Sequence, residues 1–247
     1  MKHMKTLFGL LVLLGALSCT KTRLTSDGGE GTVTFMVSAD YDLVEVTRSS
    51  VSDYADLPQV SDFTLSIKDK AGKYSWSGLL SEWDTATKLL AGGYTVEASY
   101  GSLEEEGFNK PYFAGSTEFT IAGGVTAEVS VEVALANTIV KISCNDMFRN
   151  YYPDYSFELT RGTTPIATYA KDETRGVFID GYKLNVSGVF TTETGEEHTF
   201  AKEFSNLDAA TAYTMQFDLT NVGGTSVSIS FNDTVETVPL DDFELNE

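Results

Sequence analysis

Cysteine and histidine are scarce in this sequence, which has two residues of each type among 247. The cysteines are Cys19 and Cys144, and the histidine in the body of the chain is His198. A structural zinc site takes four cysteine or histidine ligands, and if Cys19 is modified the body of the chain retains only Cys144 and His198, which cannot supply one. If Cys19 is modified, no internal disulfide can form and stability must come from packing. Cys144 lies in an apolar run and is predicted to be a small buried residue.

Positive charge is also in short supply. The chain has 17 lysine and arginine residues against 36 aspartate and glutamate residues, for a formal net charge of −19 at pH 7. Nucleic acids are bound by basic surfaces, so a nucleic acid is not an expected partner. Attraction of the folded body to an anionic membrane through charge is disfavoured for the same reason.

Long apolar runs are lacking as well, apart from residues 7–17. This run is shorter than the roughly 20 residues that a membrane-spanning helix needs. Lys2 and Lys5 precede it, and residues 16–19 have the sequence Ala-Leu-Ser-Cys. A basic start, a short apolar core and small residues before a cysteine are typical of a bacterial lipoprotein signal.

The N-terminal pattern predicts three segments. Residues 1–18 form a signal peptide that is removed, Cys19 receives the lipid, and the polar, Gly-containing residues 19–31 act as a tether. Two or more acyl chains on one residue make a stable membrane anchor. Ordinary secretion without a lipid is the alternative.

From residue 32 onward the apolar residues recur with a period of two, as they do in half-buried strands. Residues 125–133, Val-Thr-Ala-Glu-Val-Ser-Val-Glu-Val, are the longest example. Residues 63–67 and 74–76 flank a Gly-containing turn and predict a hairpin. No segment has a convincing helical stripe, and the best candidate, residues 81–90, is short. We therefore predict an all-β chain of two tandem β-sandwich domains, 32–135 and 136–247.

A weak internal repeat supports two related units. The seven residues from Val140 resemble those from Val227, and Gly93-Tyr94 matches Gly181-Tyr182 at nearly the same spacing. The strand predicted at residues 139–143 either closes the first unit or opens the second. The repeat therefore leaves the boundary near residue 136 open to adjustment.

Groups that carry chemistry are few. His198 follows two glutamates and is expected to be a solvated hairpin residue, with no Gly-x-Ser-x-Gly nucleophile motif to serve. The acidic runs at 104–106 and 241–244 lack the spacing of a calcium loop and are expected to be solvated. We predict no enzymatic activity, no metal and no cofactor.

Two aromatic segments, residues 107–113 and 148–155, give a mild indication of binding in the body of the chain. Residues 148–155 have the sequence Phe-Arg-Asn-Tyr-Tyr-Pro-Asp-Tyr around a predicted turn. Tyrosine rings on a sandwich rim can stack on sugars or on protein partners, which makes Tyr151, Tyr152 and Tyr155 candidate ligand contacts. The alternative is that these rings pack over the edge of the sandwich.

Several motifs occur together in an order that resembles a known family. They are Leu-Ala-Gly-Gly-Tyr-Thr-Val at 90–96, Lys-Pro-Tyr-Phe-Ala-Gly at 110–115, Ala-Leu-Ala-Asn-Thr-Ile-Val-Lys at 134–141, and the tyrosines at 151–155. Over residues 62–233 this order resembles a domain-of-unknown-function family of lipoproteins from Bacteroidales-type bacteria that is related to fimbrillins.

The resemblance implies transthyretin-like or immunoglobulin-like sandwiches on the outer membrane and a part in fimbria-like assembly or adhesion. In fimbrillins a protease cuts after an arginine and frees a groove for a donor strand. Residues 46–49, Val-Thr-Arg-Ser, resemble such a site, with Arg48 at the cut. An arginine in an ordinary loop is the alternative. Exposed sheet edges make strand addition by a partner physically reasonable.

These observations predict a structural or adhesive lipoprotein of the cell envelope, anchored in the outer membrane through its lipid. Its expected partners are protein subunits that add a strand, or surface glycans. The alternative function is a glycan-binding surface module of an uptake system. Residues 20–24 contain no acid, although surface-exported lipoproteins of these bacteria often have acids there, so the surface and periplasmic faces both remain open.

Overall fold

The computed structural model describes residues 28–44 and 49–219 and the backbone of residues 226–231 and 234–239. Seventeen strands, numbered β1 to β17 in chain order, make up most of this part of the chain. Strands β1 to β8 are Glu30–Asp40, Thr64–Asp69, Ser75–Leu79, Leu89–Leu90, Gly92–Tyr100, Gly107–Phe108, Phe113–Ile121 and Thr126–Leu135. Strands β9 to β17 are Thr138–Cys144, Asp154–Arg161, Thr164–Ala170, Val177–Ile179, Lys183–Thr191, Glu197–Ser205, Ala212–Leu219, Ser226–Phe231 and Thr234–Pro239.

Helical structure is confined to short segments within the described residues. The single α-helix there, α1, is Asp146–Tyr151, and the three short 3-10 segments are Val51–Asp53, Val60–Asp62 and Leu80–Glu82. In the described ranges, no helix has both the length and the apolar character to cross a membrane. The predicted all-β fold is confirmed.

The strands form three sheets. The first has the order β3-β2-β5-β7-β8-β1-β4, the second β11-β10-β13-β14 and the third β17-β16-β15-β9-β12-β6. Most neighbours run antiparallel, but β1 is parallel to β8 and β9 is parallel to β15. The hairpin predicted from residues 63–67 and 74–76 is confirmed as β2 and β3.

Strand β8 shows how the sequence produces these sheets. Side chains alternate between the two faces of a strand, so a period of two places all the apolar residues on one face. In β8 the inner face is buried and the outer face is exposed, with Val129, Val131, Val133 and Leu135 inside and Glu128, Ser130, Glu132 and Ala134 outside.

Strand β1 completes the first core from the side of β8. It pairs with β8 from Thr32 to Asp40, whereas β4 pairs only with Glu30 and Gly31. Beyond Gly31, therefore, no described strand pairs with the other side of β1. The Trp83 indole N–H donates a buried hydrogen bond of 3.0 Å to a carbonyl on this strand, that of Val33.

Two clusters of buried side chains form the cores. The first is built mainly from β1 to β8, and the second from β9 to β15 and α1. They agree with the predicted pair of sandwiches. Ile139 of β9 packs into the first cluster and its neighbour Val140 into the second, so β9 contributes to both cores. The boundary between the two domains, placed between residues 135 and 136, stays a prediction.

Residues 81–90, the best helix candidate in a sequence without a convincing helical stripe, form no α-helix: a 3-10 segment ends at Glu82 and the two-residue strand β4 follows at Leu89. The structure corrects one expectation about local organisation. The internal repeat does not mark equivalent units, because β9 and β16 flank β15 in the same sheet. In the second pair of matching residues, Tyr94 is buried whereas Tyr182 is 72% exposed.

A segment from the first half of the chain joins the second half through strand β6. Phe108 on β6 pairs with Val177 on β12, which makes β6 the edge strand of the third sheet. The Phe108 ring lies 4.3 Å from the Arg175 guanidinium and 5.5 Å from the centroid of the Tyr169 ring. A cation over an aromatic face is attracted by the ring quadrupole.

Glu106, next to β6, adds a buried polar contact to this connection. Its side chain is 6% exposed, its Oε1 accepts a 2.8 Å hydrogen bond from the Asp180 backbone N–H, and its Oε2 lies 3.4 Å from Arg161 Nε. Burial raises the pKa of Glu106, and the Asp180 N–H and Arg161 offset part of that rise. The expectation that residues 104–106 are all solvated is therefore wrong for Glu106. We call residues 106–108 with Arg161, Arg175 and Asp180 the joint.

The raised pKa of Glu106 predicts a pH dependence of stability. The folded protein holds a proton on this carboxyl more readily than the unfolded chain, whose pKa is about 4.3. The neutral carboxyl therefore makes its full contribution to the free energy of unfolding at pH values below the unfolded-chain pKa. That contribution is lost as pH rises through the pKa of the folded protein. Relative to Glu106→Gln, the wild type should lose free energy of unfolding as pH rises above about 4, measured by urea denaturation at each pH.

The matched control is Glu105→Gln, one residue away. The hydrogen bond from Lys110 lowers the pKa of the exposed Glu105 carboxyl, so its contribution should be present at neutral pH and fade as pH falls. A wild-type advantage over Glu106→Gln that grows as pH rises would contradict the prediction. It would mean that the ion pair with Arg161 outweighs the burial of the charge.

Candidate functional site

The predicted site residues fall in different parts of the chain. Cys19 and Arg48 lie outside the described residues. Tyr151, Tyr152 and Tyr155 lie together at the C-terminal end of α1 and the start of β10, but Tyr152 and Tyr155 are buried whereas Tyr151 is partly exposed. The structure thus divides a cluster that is continuous in sequence.

Helix α1 positions these tyrosines, and its start is set by Asn145. The Asn145 side-chain oxygen accepts a 2.8 Å hydrogen bond from the Phe148 backbone N–H, and its side-chain nitrogen donates to the Leu219 carbonyl. The first bond is an N-cap, which satisfies one of the free N–H groups at a helix start. The second ties the helix to the end of β15.

Tyr155 faces the core. It is 6% exposed, and its hydroxyl donates a 2.8 Å hydrogen bond to the Lys171 carbonyl. Burial raises the pKa of this phenol. Its ring packs on Phe148 with centroids 5.5 Å apart, so it is not a surface ring.

Tyr152 is completely buried. Its ring contacts Phe148 at 4.8 Å, Phe190 at 5.5 Å and His198 at 5.8 Å between centroids. Its hydroxyl is enclosed and has no hydrogen-bond partner among the described residues. Burial, with smaller contributions from the nearby Tyr151 and Glu196, raises its pKa to about 12. Tyr152 and Tyr155 are therefore packing residues, as in the alternative interpretation that these rings cover the edge of the sandwich.

Tyr151 keeps an accessible ring and lines a surface groove. The groove has a volume of about 410 Å³ and lies between α1 and the turn that joins β13 to β14. Its lining residues are Met147, Asn150, Tyr151, Thr192, Glu193 and Thr194. The Tyr151 ring stands edge-on to the buried Tyr152 ring, with centroids 4.9 Å apart and an interplanar angle of 86°.

The turn on the far side of the groove is held by Thr192. Its backbone N–H donates to the Glu196 carbonyl at 2.9 Å, and its hydroxyl accepts from the Glu196 N–H at 3.1 Å and bonds the Thr194 hydroxyl at 2.9 Å. Gly195 adopts a φ of 87°, which a residue without a Cβ reaches without strain. This wall is therefore fixed by local hydrogen bonds.

His198 and Cys144 lie below the surface. His198 is 7% exposed in β14, so the expectation of a solvated hairpin residue is wrong; its partner ring is Tyr152. The prediction of a buried Cys144 is confirmed, and burial raises the pKa of its thiol to about 12. A thiol with that pKa is inert as a nucleophile at neutral pH.

Sequence reasoning missed the residues that frame the groove. Asn145 followed by Asp146 is a helix-start pattern, but α1 is only six residues long and too short to show a helical period. The sequence therefore offers no reason to place Met147 and Asn150 on a common binding surface. Thr192 and Glu193 carry no local motif, and only the fold brings them to Tyr151.

Comparison with known families gives one match. The family model of a domain of unknown function, DUF4493, matches residues 29–246. No curated protein sequence matches the chain.

Solved structures of Bacteroides and Porphyromonas proteins have a similar chain path. The fimbrial anchor protein Mfa2 from Porphyromonas gingivalis is 10% identical, with 83% of this chain and 98% of that chain covered and a TM-score of 0.45. A candidate cell adhesion protein from Bacteroides ovatus is 11% identical, with 85% and 97% covered and a TM-score of 0.46. A candidate polysaccharide-binding protein from Bacteroides thetaiotaomicron is 12% identical, with 87% and 100% covered and a TM-score of 0.44.

The two buried tyrosines predict opposite responses to loss of the hydroxyl. Tyr155→Phe removes a hydrogen bond and leaves a carbonyl without its donor, so the free energy of unfolding should fall by about 1 kcal/mol. Tyr152→Phe removes a hydroxyl that has no described partner, so stability should stay equal or rise by up to about 1 kcal/mol. Urea denaturation of both variants beside the wild type measures the difference, and a larger loss in Tyr152→Phe would contradict it.

Proposed function

The chain belongs to the DUF4493 family, and we propose that this member is a structural or adhesive lipoprotein of the cell envelope. Cys19 carries the lipid that holds it to the outer membrane, and the β-sandwich body presents surfaces to other envelope molecules. The surface and periplasmic faces of the membrane both remain in the proposal. No catalytic role, metal or cofactor is part of it.

The N-terminal sequence is the observation that carries this proposal. A short apolar run ends in Ala-Leu-Ser-Cys at residues 16–19, and the first described strand, β1, starts at Glu30. The residues between Cys19 and β1 are few and polar, as a tether between lipid and fold requires. The net charge of −19 would otherwise keep the body away from an anionic bilayer.

The position of β1 supports a processed, strand-exchanging assembly as the form of that role. Strand β1 lies N-terminal to Arg48 and packs Val33 and Val37 into the first core. Beyond Gly31 it is paired only with β8 among described strands. The backbone on either side of the Arg48 segment is held together, with the Leu43 N–H donating to the Ser49 carbonyl at 3.1 Å. A cut after Arg48 would leave β1 attached by non-covalent contacts alone. Its departure would open a groove that a strand from a second subunit fits.

Lipidation at Cys19 is tested by substitution. In a Gram-negative host fed a labelled fatty acid, wild-type protein should take up the label and sediment with membranes. Cys19→Ala should lose both, because the acylated residue is gone. Cys144→Ala is the matched control, since Cys144 is buried in the second core and should leave label and sedimentation unchanged. Equal membrane binding of Cys19→Ala and wild type would overturn the anchor.

Processing at Arg48 is tested by intact mass and N-terminal sequencing of protein treated with an arginine-specific protease. The expected product begins at Ser49, and Arg48→Ala should not yield it. Arg23→Ala, with the change in the tether, should still yield the Ser49 product. If the wild type keeps an uncut bond after Arg48 under conditions that cut elsewhere in the chain, the processing proposal fails while the lipid anchor stands.

A further inference from the structure

The groove beside α1 combines an aromatic ring, an apolar side chain and several polar groups in one small volume. Its roughly 410 Å³ falls in the range of about 300–1,000 Å³ that small-molecule sites occupy. It lies between α1 and the β13–β14 turn, and its lining includes no residue of β1 or of the joint.

One wall is a single face of α1. Met147, Asn150 and Tyr151 are spaced three and four residues apart, which places them next to one another on a helix. The Tyr151 ring is held against Tyr152, which is fully buried, so its position is fixed before any ligand arrives. A ligand that stacks on Tyr151 therefore meets a ring that needs no ordering.

The other wall is polar and also fixed. Thr192 holds the turn through its own hydrogen bonds, and these place Glu193 and Thr194 opposite the helix. Among the described residues, neither the Glu193 carboxylate nor the Asn150 amide has a hydrogen-bond or ion-pair partner, so both are available to a ligand. The groove thus offers a carboxylate acceptor and an amide that both donates and accepts.

We propose that this groove binds one unit of a neutral saccharide, with the sugar's C–H face on Tyr151 and its hydroxyls on Asn150 and Glu193. A sugar hydroxyl both donates and accepts, which matches an amide beside a carboxylate. The six lining residues include no lysine or arginine and one glutamate, so they disfavour sulfated or carboxylated sugars. This inference rests on the proposed envelope function, which places the chain among the glycans of the cell envelope.

A basic peptide side chain is the competing occupant. It would satisfy Glu193 and could lie over Tyr151, since aromatic faces attract cations. It has no acceptor for the Asn150 N–H groups, however, because lysine and arginine side chains only donate. The pairing of a free amide with the carboxylate therefore favours the saccharide.

The test uses the purified full-length chain in detergent on an array of neutral and acidic glycans, followed by calorimetry with a retained neutral oligosaccharide. Neutral glycans should be retained and acidic ones should not. Tyr151→Ala should weaken binding at least about tenfold through loss of stacking. Glu193→Gln, a change in an exposed turn residue, should weaken it several-fold with an unchanged unfolding midpoint.

Tyr182→Ala is the matched control. Tyr182 is 72% exposed and precedes β13, whereas the groove follows the other end of that strand. Its removal should leave binding unchanged. Retention of no glycan, binding unaffected by both groove variants, or capture of a lysine-rich peptide in place of glycans would overturn the proposal. Membrane attachment of Cys19→Ala is read separately, so failure of the groove and failure of the anchor are distinguishable.

Discussion

Each sheet in this chain has to bury one apolar face away from water, and the arrangement of the strands depends on that constraint. The inner residues of β8 and the corresponding residues of β1 are apolar, and the outer residues are polar or small apart from Met36, which is exposed. Backbone N–H and C=O groups are satisfied within the ladders, so the space between sheets can be filled by apolar side chains. In the second core much of that filling is aromatic: the Phe157 and Phe217 rings lie 4.6 Å apart, and Phe148 and Phe190 pack around them.

The same constraint explains why α1 is present and why the groove lies beside it. A sandwich has open ends, and Phe148 from α1 covers one end of the second core together with Tyr152. A short helix can bury only one face, so its opposite residues stay at the surface. The groove therefore follows from the way the core is closed. The buried Tyr152 ring packs at the end of the second core, and the same ring contacts Tyr151, which lines the groove.

The fold was largely predictable from sequence, whereas the candidate site was predictable only in part. The period of two is a local property, and it correctly indicated β8 and the β2–β3 hairpin. The surroundings of Glu106 were not predictable, because Arg161 and Asp180 are far away in the chain and no local pattern points to them. The tyrosines mark the right region, but adjacent residues on a helix end face different directions, and sequence cannot assign Tyr151 outward and Tyr152 inward.

The parallel pairing of β1 with β8 also bears on mechanics. Tension applied to a chain held at its N-terminal end enters the folded body at the start of β1 and acts along the strand. Its ladder with β8 extends from Thr32 to Asp40, and the bonds of a parallel ladder are evenly spaced. Such a load shears the whole ladder at once and does not peel it bond by bond. The strand that a cut after Arg48 would release is therefore also the strand best placed to resist a pull while the chain is intact.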